Sequence, residues 1–98
     1  MTERDHILTT IKTHKPELFK LGIRNIGLFG SCARNEQSDA SDIDILIDFD
    51  PDKENFDNYM AAYDLIEKLF KNKRIDIVTK NGLSPYLGPK ILKEVLYV

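Results

Sequence analysis

From residue 43 onward, Ile43, Ile45, Ile47 and Phe49 alternate with Asp44, Leu46 and Asp48. Successive side chains of an extended backbone point to opposite sides, so a period of two identifies a β-strand with one apolar face. A chain built around such a strand needs a sheet and something to cover it. The cover is legible on both sides. Thr2 and Asp5 have the form of a capping box ahead of Ile7, Leu8 and Ile11 at helical spacing, predicting a helix from Glu3 to His14. Pro16 suits the first position of a short second helix carrying Leu18, Phe19 and Leu21, with Gly22 at its left-handed end. Tyr59, Ala62, Tyr63, Ile66, Leu69 and Phe70 share one face of a further helix, which should start at a cap on Asp57 or Asn58 and end near Lys71.

Two more strands fit the same scheme. Ile23 to Phe29 is rich in β-formers and runs into a tight turn at Gly30, and Arg74 to Thr79 alternates again before the Asn81-Gly82 turn signal. Residues 31 to 41 are small or polar, with room for a turn of helix near Cys32 to Asn35. Ser84-Pro85 reads as a cap and first turn, and Lys90 to Leu96 as a continuing helix; the apolar residues Ile91, Leu92, Val95, Leu96 and Tyr97 read first as core, and in part as a partner surface. A chain of 98 residues suits a single domain over residues 1–98.

The bulk chemistry excludes several classes of function. A net charge of -2 argues against a protein that holds nucleic acid by broad phosphate neutralisation. The local cluster Lys68, Lys71, Lys73 and Arg74 reads first as a solvated helix end, and second as a contact for nucleic acid or a partner. Cys32 is the only cysteine, which rules out an internal disulfide and a cysteine-rich zinc site and suits a small buried filler. The charged beginning has no apolar signal region, and no apolar run approaches the roughly 20 residues that span a bilayer, so a cytoplasmic protein is expected.

The reactive chemistry concentrates in two short stretches. Asp42 and Asp44 point the same way on an extended chain, with Cα atoms about 6.6 Å apart. Two carboxylates so placed repel, and need a cation, a shifted pKa or full hydration. Hard divalent ions such as Mg²⁺ take such oxygen ligands. Asp48 has the same parity but lies about 20 Å from Asp42, outside any shared site. Asp76, on the opposite side of its strand from Ile75 and Ile77, can join the pair from a neighbouring strand. Gly30-Ser31 follows a strand directly, where free N–H groups and a missing side chain favour an anion, and Arg34 could reach the same phosphates. Either stretch alone is commonplace. Together, with ten residues between them, they are not.

Leu28-Phe29-Gly30-Ser31-Cys32-Ala33-Arg34, then Ser41-Asp42-Ile43-Asp44-Ile45-Leu46-Ile47, then Arg74-Ile75-Asp76-Ile77-Val78 resemble the minimal nucleotidyltransferase group of the DNA polymerase β superfamily. The likeness extends to the helical beginning and the Glu94-Val95-Leu96-Tyr97-Val98 ending. It implies an α+β nucleotidyltransferase fold, a small mixed sheet of three to four strands flanked by helices, with two Mg²⁺ ions and ATP at one face. Carried over by position, Asp42 and Asp44 hold both metals, Asp76 holds the catalytic metal and helps deprotonate the acceptor, and Gly30 and Ser31 grip the triphosphate. Arg34 either joins them or forms an ion pair with a nearby Asp or Glu. Members of the group commonly act as antitoxins to HEPN-domain ribonuclease toxins by transferring AMP to a toxin tyrosine. Neutralisation by simple occlusion, and transfer to a small molecule of the aminoglycoside kind, are the alternatives.

Overall fold

The computed structural model describes residues 2–36 and 42–98. Thr2 caps the first helix, α1 (Glu3–Thr13), by accepting a hydrogen bond from the Asp5 N–H. A short helix α2 (Lys15–Lys20) follows with proline in its first turn, and Gly22 leaves it at φ +93°, a conformation that glycine adopts without strain. Strand β1 (Ile23–Phe29) leads straight into a single helical turn, α3 (Gly30–Ala33). Strand β2 (Ile43–Phe49) begins where the alternation predicts.

A 3₁₀ turn over Pro51–Lys53 comes next, and Asn55 then caps α4 (Phe56–Leu69) by accepting from the Asn58 N–H at 2.8 Å. The cap is thus Asn55, two residues before the earlier of the expected pair. The helical stripe behaves as predicted: Ala62, Ile66 and Phe70 are buried, with Tyr59, Tyr63 and Leu69 packed against the core. Strand β3 (Ile75–Thr79) returns parallel to β2, so α4 is the crossover of a β-α-β unit.

The C-terminal stretch departs from its sequence expectation. Ser84 to Leu87 form a turn, not a helical start, although the Ser84 hydroxyl does accept from the Leu87 N–H. The helix α5 covers only Gly88–Glu94, and Leu96–Tyr97 form a short strand, β4, paired antiparallel with β1. Leu92, Leu96 and Tyr97 are exposed, so the tail is not core. Its place at a sheet edge leaves it only one packed side.

The sheet has the order β3-β2-β1-β4, with β1 antiparallel to both neighbours. One face carries Ile26, Leu28, Ile43, Ile45, Ile47 and Ile77 and meets Ile7, Ile11, Leu18 and Ile66 of the helices in one continuous core. Phe29 and Leu46 are buried but lie outside that cluster, on the second face with Asp44. That face is partly covered too. Because β3 and β4 occupy opposite edges, the chain joining them crosses it and brings α5 against α3.

Candidate active site

In the parallel pair of β2 and β3, Ile43 stands opposite Ile75, Asp44 opposite Asp76 and Ile45 opposite Ile77. Strands pair about 4.8 Å apart, so Asp44 and Asp76 are lateral neighbours on the second face. The Ile43 N–H donates to the Arg74 carbonyl at 2.9 Å, which fixes this register at its first residue. Asp42 lies immediately before the strand. Across β1, Asp44 faces Phe29, and the chain there turns at Gly30. Gly30 has φ +76°, and a Cβ at this position would strike the Asp44 carboxylate. Glycine is required twice over, for conformation and for space.

This geometry presses like charges together. Partial burial, then Asp76, Asp42 and Glu94 in turn, push the Asp44 carboxyl up from its usual 3.8 to about 6, with Arg34 partly offsetting them. Asp42 Oδ1 lies 3.2 Å from Arg74 Nε as an ion pair. The alignment falls short of a hydrogen bond, and this buried oxygen has no hydrogen-bond partner among the described residues. Asp76 is exposed. Among the described residues, no three acidic, histidine or cysteine side chains converge at ligating range.

The donor set nevertheless suits a hard divalent cation. It consists of oxygens alone, one of them buried without a hydrogen-bond partner, and its central member resists ionisation in the absence of added positive charge.

Glu94, at the end of α5, carries a role that the sequence alone did not disclose. Its Oε1 accepts from the Gly30 N–H at 3.2 Å, and its Oε2 accepts from Arg34 Nη1 at 2.9 Å. Arg34 also donates to Glu36 at 3.3 Å. The arginine therefore sits in an ion pair, as one of the two sequence readings allowed. A carboxylate thus occupies the donors that the sequence offered to phosphate. No local signal marks Glu94, because its approach depends on the chain crossing the sheet.

The remaining candidates sort cleanly. Ser31 lies half-buried in the first turn of α3, and Ser41 falls outside the described residues. Asp48 is buried at the far end of β2, where Arg24 Nε donates to it at 3.1 Å and Asn25 Nδ2 at 3.5 Å, a structural pairing remote from Asp42. Cys32 is buried with its thiol directed at the Asp42 carbonyl, and burial pushes its pKa up, as befits a packing residue.

Residues 8–98 match the nucleotidyltransferase domain family. A relative from Methanocaldococcus jannaschii, provisionally named a protein adenylyltransferase, is 42% identical over 83 residues, covering 85% of this chain and 87% of its own. The protein adenylyltransferase MntA of Thermococcus cleftensis is 34% identical over 99 residues, covering 100% and 98%. A solved structure provisionally described as a minimal nucleotidyltransferase superposes with a TM-score of 0.73 at 28% identity, over 91% of this chain and 93% of that one. The fold is shared also with a toxin–antitoxin MntA–HpeT mutant, at a TM-score of 0.62, 16% identity and coverage of 97% and 70%. With the family match spanning residues 8–98 and a relative 42% identical over most of both chains, the chain belongs to the nucleotidyltransferase family, among its minimal members.

Proposed function

We propose that this nucleotidyltransferase transfers AMP from ATP to a hydroxyl of a partner protein, a tyrosine of a HEPN-domain toxin, and acts in this way as the toxin's antitoxin. The observation that carries the proposal is the opposition of Asp44 and Asp76 across β2 and β3, directly beside the Gly30 turn. The names of the relatives supply the rest: one over the whole chain is a protein adenylyltransferase, and a structural neighbour is a toxin–antitoxin assembly.

Asp42, Asp44 and Asp76 would hold Mg²⁺, two ions in all, and when bound these supply charge neutralisation for the phosphates and a lowered pKa for the acceptor hydroxyl. The chain's own groups do the remainder. The Gly30 N–H and Ser31 hydroxyl receive the triphosphate, and Arg34 exchanges Glu94 for a phosphate oxygen. Asp76, exposed at the open side of the pair, takes the proton as the acceptor oxygen attacks the α-phosphorus and the bond to pyrophosphate breaks.

The test is incubation with labelled ATP, Mg²⁺ and the protein encoded by the adjacent reading frame. Wild type should label that protein on a tyrosine, and Asp44→Asn should not. Equal labelling by the variant overturns the mechanism. If a variant lacking both Asp42 and Asp44 still protects cells, neutralisation works by occlusion instead.

A further inference from the structure

A second concave feature lies next to the carboxylates and has no part in the chemistry above. Tyr63, Lys68, Lys71, Lys73, Arg74 and Ile75 line a groove of about 470 Å³ between the end of α4 and the start of β3. Four cations fall within seven sequence positions in a chain whose net charge is -2. Lys73 is committed to Glu3 at 3.2 Å, and Glu67 is the one carboxylate on the lining. Lys68 and Lys71 are exposed and form no ion pair with any described residue.

Cations at the C-terminus of a helix need no special explanation, since they complement its dipole. That accounts for Lys68 and Lys71 and for nothing beyond them. Arg74 lies past the helix, with its side chain 84% exposed, and it pairs with Asp42 of the active site while lining the groove. Ile75 lines the groove, and Asp76, the next residue along β3, is about 3.3 Å of strand away with its side chain on the opposite face. β3 is moreover an edge strand of the sheet, so an extended segment leaving the groove can pass over it toward Asp76.

We propose that this groove receives an acidic polypeptide segment flanking the acceptor hydroxyl, so that the enzyme selects its acceptor by the negative charge beside it. The inference rests on the transfer reading only in placing the acceptor at Asp76. The occupant is a polypeptide because a nucleic acid carries its charge along the entire backbone, and Glu67 on the lining, Asp42 beside Arg74 and Asp76 next along β3 repel any continuation of it. A peptide can be acidic where it meets Lys68, Lys71 and Arg74 and neutral where it meets the carboxylates.

Backbone amide NMR titrations of the whole chain test this without nucleotide. The probes are the hexapeptides Glu-Glu-Tyr-Glu-Gly-Gly and Gln-Gln-Tyr-Gln-Gly-Gly, and hexaadenylate. The acidic peptide should shift the amides of Tyr63, Lys68, Lys71 and Arg74 and bind about tenfold more tightly than the neutral one. Lys68→Ala/Lys71→Ala should lose about that tenfold, whereas Lys20→Ala/Lys90→Ala, which makes the same change in net charge elsewhere, should bind as wild type does. The dispersion of each variant's spectrum reports that it is folded. Equal binding of the two peptides, equal loss in both double variants, or tighter seating of hexaadenylate in the groove overturns the proposal. Acidic peptide bound as expected while no partner protein is labelled from ATP refutes the transfer reading and leaves the groove standing. Labelling of the partner by Lys68→Ala/Lys71→Ala at unchanged kcat/KM refutes the groove alone.

Discussion

Replacing Asp44 with asparagine should make the metal-free protein more stable, although it removes a residue central to the proposed site. The folded state raises the Asp44 pKa from 3.8 to about 6, by burial first and then by Asp76, Asp42 and Glu94. A carboxylate with a raised pKa binds more protons folded than unfolded, so stability falls as pH rises through that interval. The penalty is absent below about pH 4, grows toward pH 6 and is complete above it. Taken at face value the shift is worth about 3 kcal/mol. Asp44 is only half-buried, and solvent screening reduces this to about 1–2 kcal/mol. For a chain of this size, that corresponds to a rise in Tm of about 5–10 °C for Asp44→Asn at pH 8. The assay is thermal unfolding followed by circular dichroism in EDTA, wild type against variant, at pH 8 and pH 4. The gain should be present at pH 8 and nearly gone at pH 4, and Mg²⁺ should stabilise wild type more than the variant. A variant less stable than wild type at pH 8, or a gain that does not shrink with acid, refutes the crowding of charge described at this site.

Other substitutions probe separate parts of the structure. Glu94→Gln removes the charge that, in the proposed mechanism, competes with phosphate for the Gly30 N–H and Arg34, and calorimetry should show ATP binding about 3- to 10-fold more tightly; weaker binding would mean that Glu94 supports the nucleotide and does not compete with it. Arg24→Ala leaves the buried Asp48 without its ion pair and should cost about 1–2 kcal/mol in urea unfolding while leaving nucleotidyl transfer unchanged. Gly30→Ala should cost at least about 1–2 kcal/mol for the left-handed backbone alone and abolish transfer, read by the same unfolding and labelling assays.

The strands β1 and β2 are legible to the residue because their patterns are local: alternation along β2, and β-formers ending at a glycine in β1. The position of Asp76 on its strand follows from parity in the same way. Its opposition to Asp44 does not, because the parallel register is set by how α4 packs on the sheet, and no short stretch encodes that. The same limit explains the burial of Leu46, whereas Asp48 is held by Arg24 and Asn25 of β1. Alternation predicts a strand with one covered face, and only the crossing from β3 to β4 covers the other. Glu94 was invisible for this reason, and so was β4: Val95 to Tyr97 carry apolar residues compatible with a helix, and their pairing partner Gly27-Leu28 lies far away in sequence. Asn55 displaced Asp57 and Asn58 as the cap because the 3₁₀ turn at Pro51–Lys53 delivers the chain to the helix earlier than the polar run suggests.

The contact between Gly30 and Asp44 also offers a way to tell living copies of this enzyme from dead ones among its relatives. A chain that retains all three aspartates can pass for an enzyme on inspection of its acidic residues alone. A single methyl group at the position of Gly30 would push the central carboxylate aside and forbid the turn that presents the N–H, whatever happens elsewhere. In a relative that keeps the three aspartates, any residue larger than glycine at this position marks a site whose central carboxylate cannot sit as it does here.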